Sequence, residues 1–146
     1  MNQDKIIAML KLHEGVETHA YKCTNDKITI GVGRNIDKAG GLGLSDDEIE
    51  YLLNNDIDRV IKELGSSYPW FSDLDGVRQA ALIDLCFNIG GPRLKGFVKA
   101  LGAMQDGDYE RAADEFIDSR WASQVGSRAL EITAMIRTGE WQKEYS

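Results

Sequence analysis

Proline, cysteine and histidine are all scarce in this chain, with two of each among its 146 residues. So few prolines, and no long polar tract, argue against extended disorder. The two cysteines, Cys23 and Cys86, do not make a disulfide framework, and no Cys/His cluster has zinc-ligand spacing. His13 and His19 read as surface residues, so neither a metal nor an organic cofactor is expected. No apolar run approaches membrane-spanning length, so stable membrane insertion is not expected. Asn2, Gln3, Asp4 and Lys5 stand where a signal peptide would need a basic start and an apolar stretch, which predicts synthesis in the cytosol. Positive charge is also in deficit. Acidic residues outnumber basic ones by 24 to 17, a net charge of −7. A duplex nucleic-acid binder gains its affinity by neutralising phosphates, so no nucleic-acid partner is expected.

Apolar residues are not scarce. They make up 42% of the chain, enough for a core without disulfide staples. Ile6, Ile7, Met9, Leu10 and His13 recur at helical spacing and predict an amphipathic first helix that stops at Gly15. Ala20–Lys22 and 27–33 read as two strands joined by the turn residues Thr24, Asn25 and Asp26, a hairpin. Ser45 followed by Glu48 is a capping box, and the helix it opens carries Ile49, Leu52, Leu53, Ile57, Val60, Ile61 and Leu64 along one stripe. That helix is expected to run nearly twenty residues to the Gly65–Pro69 stretch and to link two lobes. From Leu74 to Ile89 the chain is apolar almost all round, the pattern of a buried central helix ended by Gly90, Gly91 and Pro92. Shorter helices are predicted around Leu94–Met104, Tyr109–Ile117 and Arg128–Arg137. The expected class is α+β, a small lobe with a β-hairpin followed by a larger helical lobe.

Glu14 ends the first helix, where the negative end of the macrodipole opposes ionisation, as a general acid working near neutral pH requires. Local sequence alone favours an ordinary exposed glutamate. Its neighbours change that reading. Cys23 follows Glu14 after eight residues and Thr29 follows after five more. This resembles the Glu-(eight)-Asp/Cys-(five)-Thr pattern of the phage-type lysozymes, or endolysins, related to the lysozyme of the T-even phages. The matching stretch reads His13-Glu14-Gly15, then Ala20-Tyr21-Lys22-Cys23-Thr24, then Thr29-Ile30-Gly31-Val32-Gly33. Further along, Val77 to Ile83 with Phe87-Asn88-Ile89-Gly90 resembles the family's central helix. Ser119-Arg120-Trp121, Arg128-Ala129 and Arg137 to Trp141 resemble its C-terminal segment. Three ordered blocks cover nearly the whole chain.

The resemblance implies a lysozyme-like fold over residues 1–146, one catalytic domain in two lobes. The N-terminal lobe spans about 13–60, and the C-terminal lobe about 65–146 together with the N-terminal helix. It implies that Glu14 donates the proton to the glycosidic oxygen, that Cys23 occupies the second catalytic position and that Thr29 orients the attacking water. Gly31 and Gly33 would let a sugar approach the backbone closely. Gly31, Asn35, Phe87, Asn88 and Arg128 are the expected substrate contacts, with Arg128 pairing with Glu14 from the far lobe. An Arg34–Asp56 ion pair is expected as a structural feature. Cys86 and the three tryptophans read as packing residues, and Asp106-Gly107-Asp108 as a turn.

Cys23 is the departure that matters, because an aspartate is more frequent there. A thiol with a reference pKa of roughly 8.5 is mostly protonated at neutral pH and makes a poor base. Either its pKa is lowered here, or Thr29 positions water without a strong base, or the thiolate attacks to give a covalent intermediate. The competing reading is that catalysis has lapsed. The expected substrate is peptidoglycan, cut at the β-1,4 bond between N-acetylmuramic acid and N-acetylglucosamine by a monomer. It would be made in a host cytoplasm and released to the wall or periplasm through a holin lesion. Alternatives are a wall-binding relic, a lytic transglycosylase and, more remotely, a helical interaction module. The acidic balance sits awkwardly with an anionic envelope and calls for screening salt or a basic rim.

Overall fold

A computed structural model describes residues 1–142. The chain forms two compact units, residues 1–53 and 54–146. The division falls inside one long helix. Together they make an α+β, lysozyme-like fold: mostly helix, with one small antiparallel sheet near the N-terminus.

In the first unit, α1 (Gln3–Glu14) begins at Asn2, whose side chain accepts from the Lys5 N–H at 3.1 Å. It stops at Gly15, whose N–H donates to the Lys11 carbonyl. The chain then enters β1 (Glu17–Lys22), β2 (Ile28–Gly31) and β3 (Arg34–Asn35), paired antiparallel in that order. Thr24 to Asp26 do turn the chain between β1 and β2. Cys23 donates its N–H to the Lys27 carbonyl at 2.9 Å, and Asp26 takes the left-handed conformation that aspartate tolerates. The expected second strand, 27–33, instead spans only Ile28–Gly31, and a third strand follows it. Gly31 and Gly33 both have positive φ, so the chain reverses at Val32 and Gly33 and returns as β3.

The helix α2 (Asp46–Ser67) opens with the predicted capping box. Glu48 accepts from the Ser45 N–H at 2.8 Å, and the Glu48 N–H donates to Ser45 Oγ at 3.2 Å. It runs 22 residues, continuing through Gly65 rather than stopping there.

In the second unit, a short 3-10 turn (Pro69–Asp73) leads to α3 (Gly76–Ile89), capped by Asp75. Five of its residues, Ala81, Leu82, Leu85, Cys86 and Ile89, are buried. Around it lie α4 (Gly91–Leu94), α5 (Val98–Gln105), α6 (Tyr109–Ile117), α7 (Arg120–Val125) and α8 (Ser127–Thr138). Helix α7 was not expected. It is only six residues long, and Ser119 caps it through the Ala122 N–H. Trp121, Phe116, Leu82, Leu94, Met104 and Ile136 are among the largest fully buried side chains of the core. Arg78 secures the end of α8. Its guanidinium donates to the carbonyls of Ile136 at 2.6 Å and Arg137 at 3.1 Å and stacks over the Tyr109 ring, 3.7 Å from the centroid. The last carbonyls of a helix lack intrahelical donors, so a cation placed there satisfies both hydrogen bonding and the dipole. Among the described residues no helix is long and apolar enough to cross a membrane.

Candidate active site

Strand register decides which side chains of the first unit share a face. Tyr21 lies opposite Thr29, and Thr29 lies opposite Asn35. The hydrogen bond between Cys23 and Lys27 continues that register by two residues. Because side chains alternate along a strand, Cys23, Thr29 and Asn35 fall on one face, with Cys23 and Thr29 as diagonal neighbours. Ile30 and Arg34 fall on the other. There, with Thr18, Leu44 and Tyr51, they line an apolar cavity of about 730 Å³ that none of Glu14, Cys23 or Thr29 borders. Gly31 touches that cavity too.

Thr29 is the one buried residue of this unit among the described residues, 4% exposed. Its hydroxyl donates to the Lys27 carbonyl at 2.9 Å, which leaves the oxygen lone pairs to accept. Cys23 is half-buried, and its thiol is held below the ordinary thiol value. The Lys27 backbone is the largest cause and the Asn25 backbone the next; partial desolvation opposes them, and the Thr29 side chain beside the thiol adds a smaller lowering. Hydrogen bonds that favour the thiolate move Cys23 towards the nucleophilic and basic form. Asn35 turns its side-chain oxygen inward to the Asp37 N–H at 2.9 Å, and its carbonyl accepts from the Leu42 N–H. It thereby organises the loop that follows β3.

Glu14 is exposed at the last residue of α1. Its carboxyl packs directly over the Gly33 α-carbon, where a β-carbon would lie 2.6 Å from Glu14 Oε2. The glycine expected to admit a sugar is thus occupied by the carboxyl itself. Within the first unit, Arg34 makes a two-pronged ion pair with Glu48, at 2.7 and 2.6 Å, and donates to the Gly43 carbonyl. Within the second, Asp56, the partner expected for Arg34, pairs with Arg59 along α2. The capping box holds the Glu48 carboxylate beside the start of β3, and a fork-shaped guanidinium matches both of its oxygens.

The second unit gathers the remaining predicted contacts at the C-terminal half of α3. Asn88 accepts from the Trp121 indole N–H at 2.6 Å, which satisfies the polar atom of an otherwise buried ring. Arg128 pairs with Asp84 through Nε at 2.7 Å and also donates to the Asp84 carbonyl at 3.3 Å. Asp84 and Asn88 are four residues apart and so lie on one side of α3. Phe87 is 41% exposed, a large apolar side chain left in reach of a ligand. A cavity of about 530 Å³ adjoins the Arg128–Asp84 pair, bordered also by Glu131, Met135 and Trp141.

The sequence profile of the family described as Phage lysozyme matches residues 11–137. The chain belongs to the phage lysozyme family. "Probable T4-type lysozyme 2" of Dictyostelium discoideum is 28% identical over 163 aligned positions, covering 94% of this chain and 95% of that protein. The "Pre-baseplate central spike protein Gp5" of Enterobacteria phage T4 is 29% identical over 90% of this chain and 27% of its own length. The "Endolysin" of Acyrthosiphon pisum secondary endosymbiont phage 1 is 25% identical over 96% of this chain and 93% of that protein. The chain's relatives include T4-type lysozymes and an endolysin, and membership in this family supports a lysozyme-like function.

Four features of this family member were not anticipated: Gly33 as the seat of Glu14, Glu48 as the partner of Arg34, Asp84 as a partner of Arg128 and Trp121 as the partner of Asn88. Only Glu48 carried a local signal, the capping box, because its cap partner is three residues away. The other pairings join residues 19 to 44 positions apart, beyond any local pattern.

Proposed function

We propose that this protein hydrolyses the β-1,4 bond between N-acetylmuramic acid and N-acetylglucosamine in peptidoglycan. The observation that carries this reading is the placement of Glu14 against the turn that joins β2 to β3, in the same small sheet whose register puts Thr29 and the neighbouring Cys23 on one face. Glu14 supplies the proton to the departing glycosidic oxygen. Thr29, fixed by its bond to Lys27, orients one water through its lone pairs. Cys23, its thiol held below the ordinary value, takes the proton from that water, so that water adds across the broken bond. Gly31, Asn35, Phe87, Asn88 and Arg128 contact the glycan, and no cofactor takes part.

Biologically, the protein acts as a monomer that accumulates in a host cytoplasm and reaches the wall after a holin opens the membrane, causing lysis. Replacing Glu14 with Gln changes volume little and removes the proton, so lysis by the folded variant falls by well over tenfold. Mass spectrometry of muropeptides from purified wall then identifies the chemistry. A reducing N-acetylmuramic acid end is the hydrolase product. A 1,6-anhydro end would make the protein a transglycosylase, and no release at all would make it a wall binder. Lysis by Glu14→Gln within tenfold of the parent would remove Glu14 from its role.

A further inference from the structure

We propose that Gly33 is a positioning residue: its missing side chain leaves the space in which the Glu14 carboxyl lies, against the turn that joins β2, the strand of Thr29, to β3. This inference rests on the reading of Glu14 as the proton donor. Within the first unit no hydrogen bond or ion pair to that carboxyl is formed among the described residues, and it lies instead against the backbone at Gly33. The contact is extensive for one atom's width of backbone. A β-carbon at position 33 would lie 2.6 Å from Oε2, 3.0 Å from Cδ and 3.2 Å from Cγ of Glu14. The whole end of the side chain therefore rests on the bare α-carbon. Gly33 belongs to the reversal between β2 and β3, and β2 contains Thr29. Donor and water-orienting hydroxyl are thus referenced to the same short piece of backbone.

A single methyl group at position 33 must displace the carboxyl by roughly an ångström to regain van der Waals distance, and misplacement on that scale costs catalysis on the order of a hundredfold. Backbone strain alone does not do this, and the molecule contains its own control. Gly40 has an equally left-handed φ of +83°, against +68° at Gly33, yet an added β-carbon there meets nothing within 4 Å. Alanine at either site incurs the conformational cost; only alanine at 33 meets Glu14.

The test compares Gly33→Ala with Gly40→Ala in the full chain, alongside Glu14→Gln. Gly33→Ala is expected to lower kcat on soluble peptidoglycan fragments about a hundredfold with KM changed less than threefold, while Gly40→Ala keeps kcat within threefold. Gly33→Asn serves if alanine prevents folding, since asparagine tolerates left-handed backbone and still carries the intruding β-carbon. If Glu14→Gln is inactive but Gly33→Ala and Gly33→Asn keep kcat within threefold, or if Gly40→Ala lowers kcat as much as Gly33→Ala does, Gly33 does not position Glu14. If Glu14→Gln remains active, the proton-donor reading fails and the positioning role fails with it.

Discussion

The two units of this protein are stabilised by different means. The second is organised by burial: Leu64, Leu82, Leu85, Leu94, Phe116, Trp121 and Ile136 are all nearly inaccessible. In the first, Thr29 alone is buried among the described residues, and a threonine is an unusual centre for a core. There the chain is held by polar closures instead. Asn2 caps α1, Asp37 accepts from the N–H groups of Ile28 and Ala39, and Glu48 joins Ser45 to Arg34. Apolar burial is non-directional and tolerant of detail, whereas hydrogen bonds fix angles. A site whose proton donor and water-orienting hydroxyl must lie within a fraction of an ångström of their working places is served by the second kind of restraint.

The sharpest way to break this comparison is to remove matched apolar groups. Leu85→Ala opens a cavity beside α3 and is expected to cost about 2–5 kcal/mol. Leu42→Ala, at a side chain 77% exposed, should fall within about 0.5 kcal/mol of the parent. Denaturant unfolding of the two variants measures both. Comparable losses would mean that the first unit relies on burial as much as the second does.

Cys23 sharpens the comparison on the side of function. Its truncation to alanine removes a half-buried thiol from a hairpin turn, so global stability should hardly move, yet activity should fall at least tenfold. Cys23→Asp should keep activity, because a carboxylate is a competent base at the same place. The wild-type thiol lies below its ordinary value, chiefly through the Lys27 backbone. The rising limb of the pH–rate profile therefore belongs below the range of a free thiol, and Cys23→Asp should move that limb lower still. Alkylation should inactivate the parent, with the buried Cys86, whose thiol is pushed up by desolvation, reacting far more slowly. Full activity in Cys23→Ala, with alkylation harmless, would reduce Cys23 to a turn residue.

What was legible in the sequence follows the same division. Helix α3 could be read because its apolar residues crowd one short stretch, and the Ser45–Glu48 box because its partners are three residues apart. The α+β class and the family followed from Glu14, Cys23 and Thr29 at their spacing together with the later blocks. The strand β3 was hidden because two residues carry no alternation, and the reversal before it depends on backbone angles at Gly31 and Gly33. The Arg34–Glu48 pair escaped sequence reading because alignment with a relative identifies positions, not the partner that local geometry brings near. Glu48 is 14 residues from Arg34 and already fixed in place. Phe87 shows the limit of composition: it sits in the most apolar helix of the chain and still faces solvent.

The smallest expected effect concerns how the polar closures of the first unit respond to acid. The Glu48 carboxyl is held below its ordinary value, first by the Ser45 backbone N–H, then by the Ser45 hydroxyl and by Arg34, against some desolvation. Asp37 is likewise lowered, chiefly by the Ile28 N–H and then by that of Ala39. A group whose folded-state pKa is depressed contributes stability that is present above its unfolded value and is lost as pH falls through the folded one. The Ser45 and Ile28 amides should therefore lose hydrogen-exchange protection as pH drops through and below the ordinary carboxylate range. The Leu85 amide, inside a buried helix, should keep its protection until the whole unit unfolds. The Arg34 and Glu48 side chains are 33% and 36% exposed, so solvent screens their attraction and the change is modest. Glu48→Gln keeps an acceptor for the Ser45 N–H but removes the titrating charge, so protection at Ser45 should become lower and nearly independent of pH over that range. If Ser45 and Leu85 lose protection together, the capping box has no separate acid sensitivity and the two units open as one.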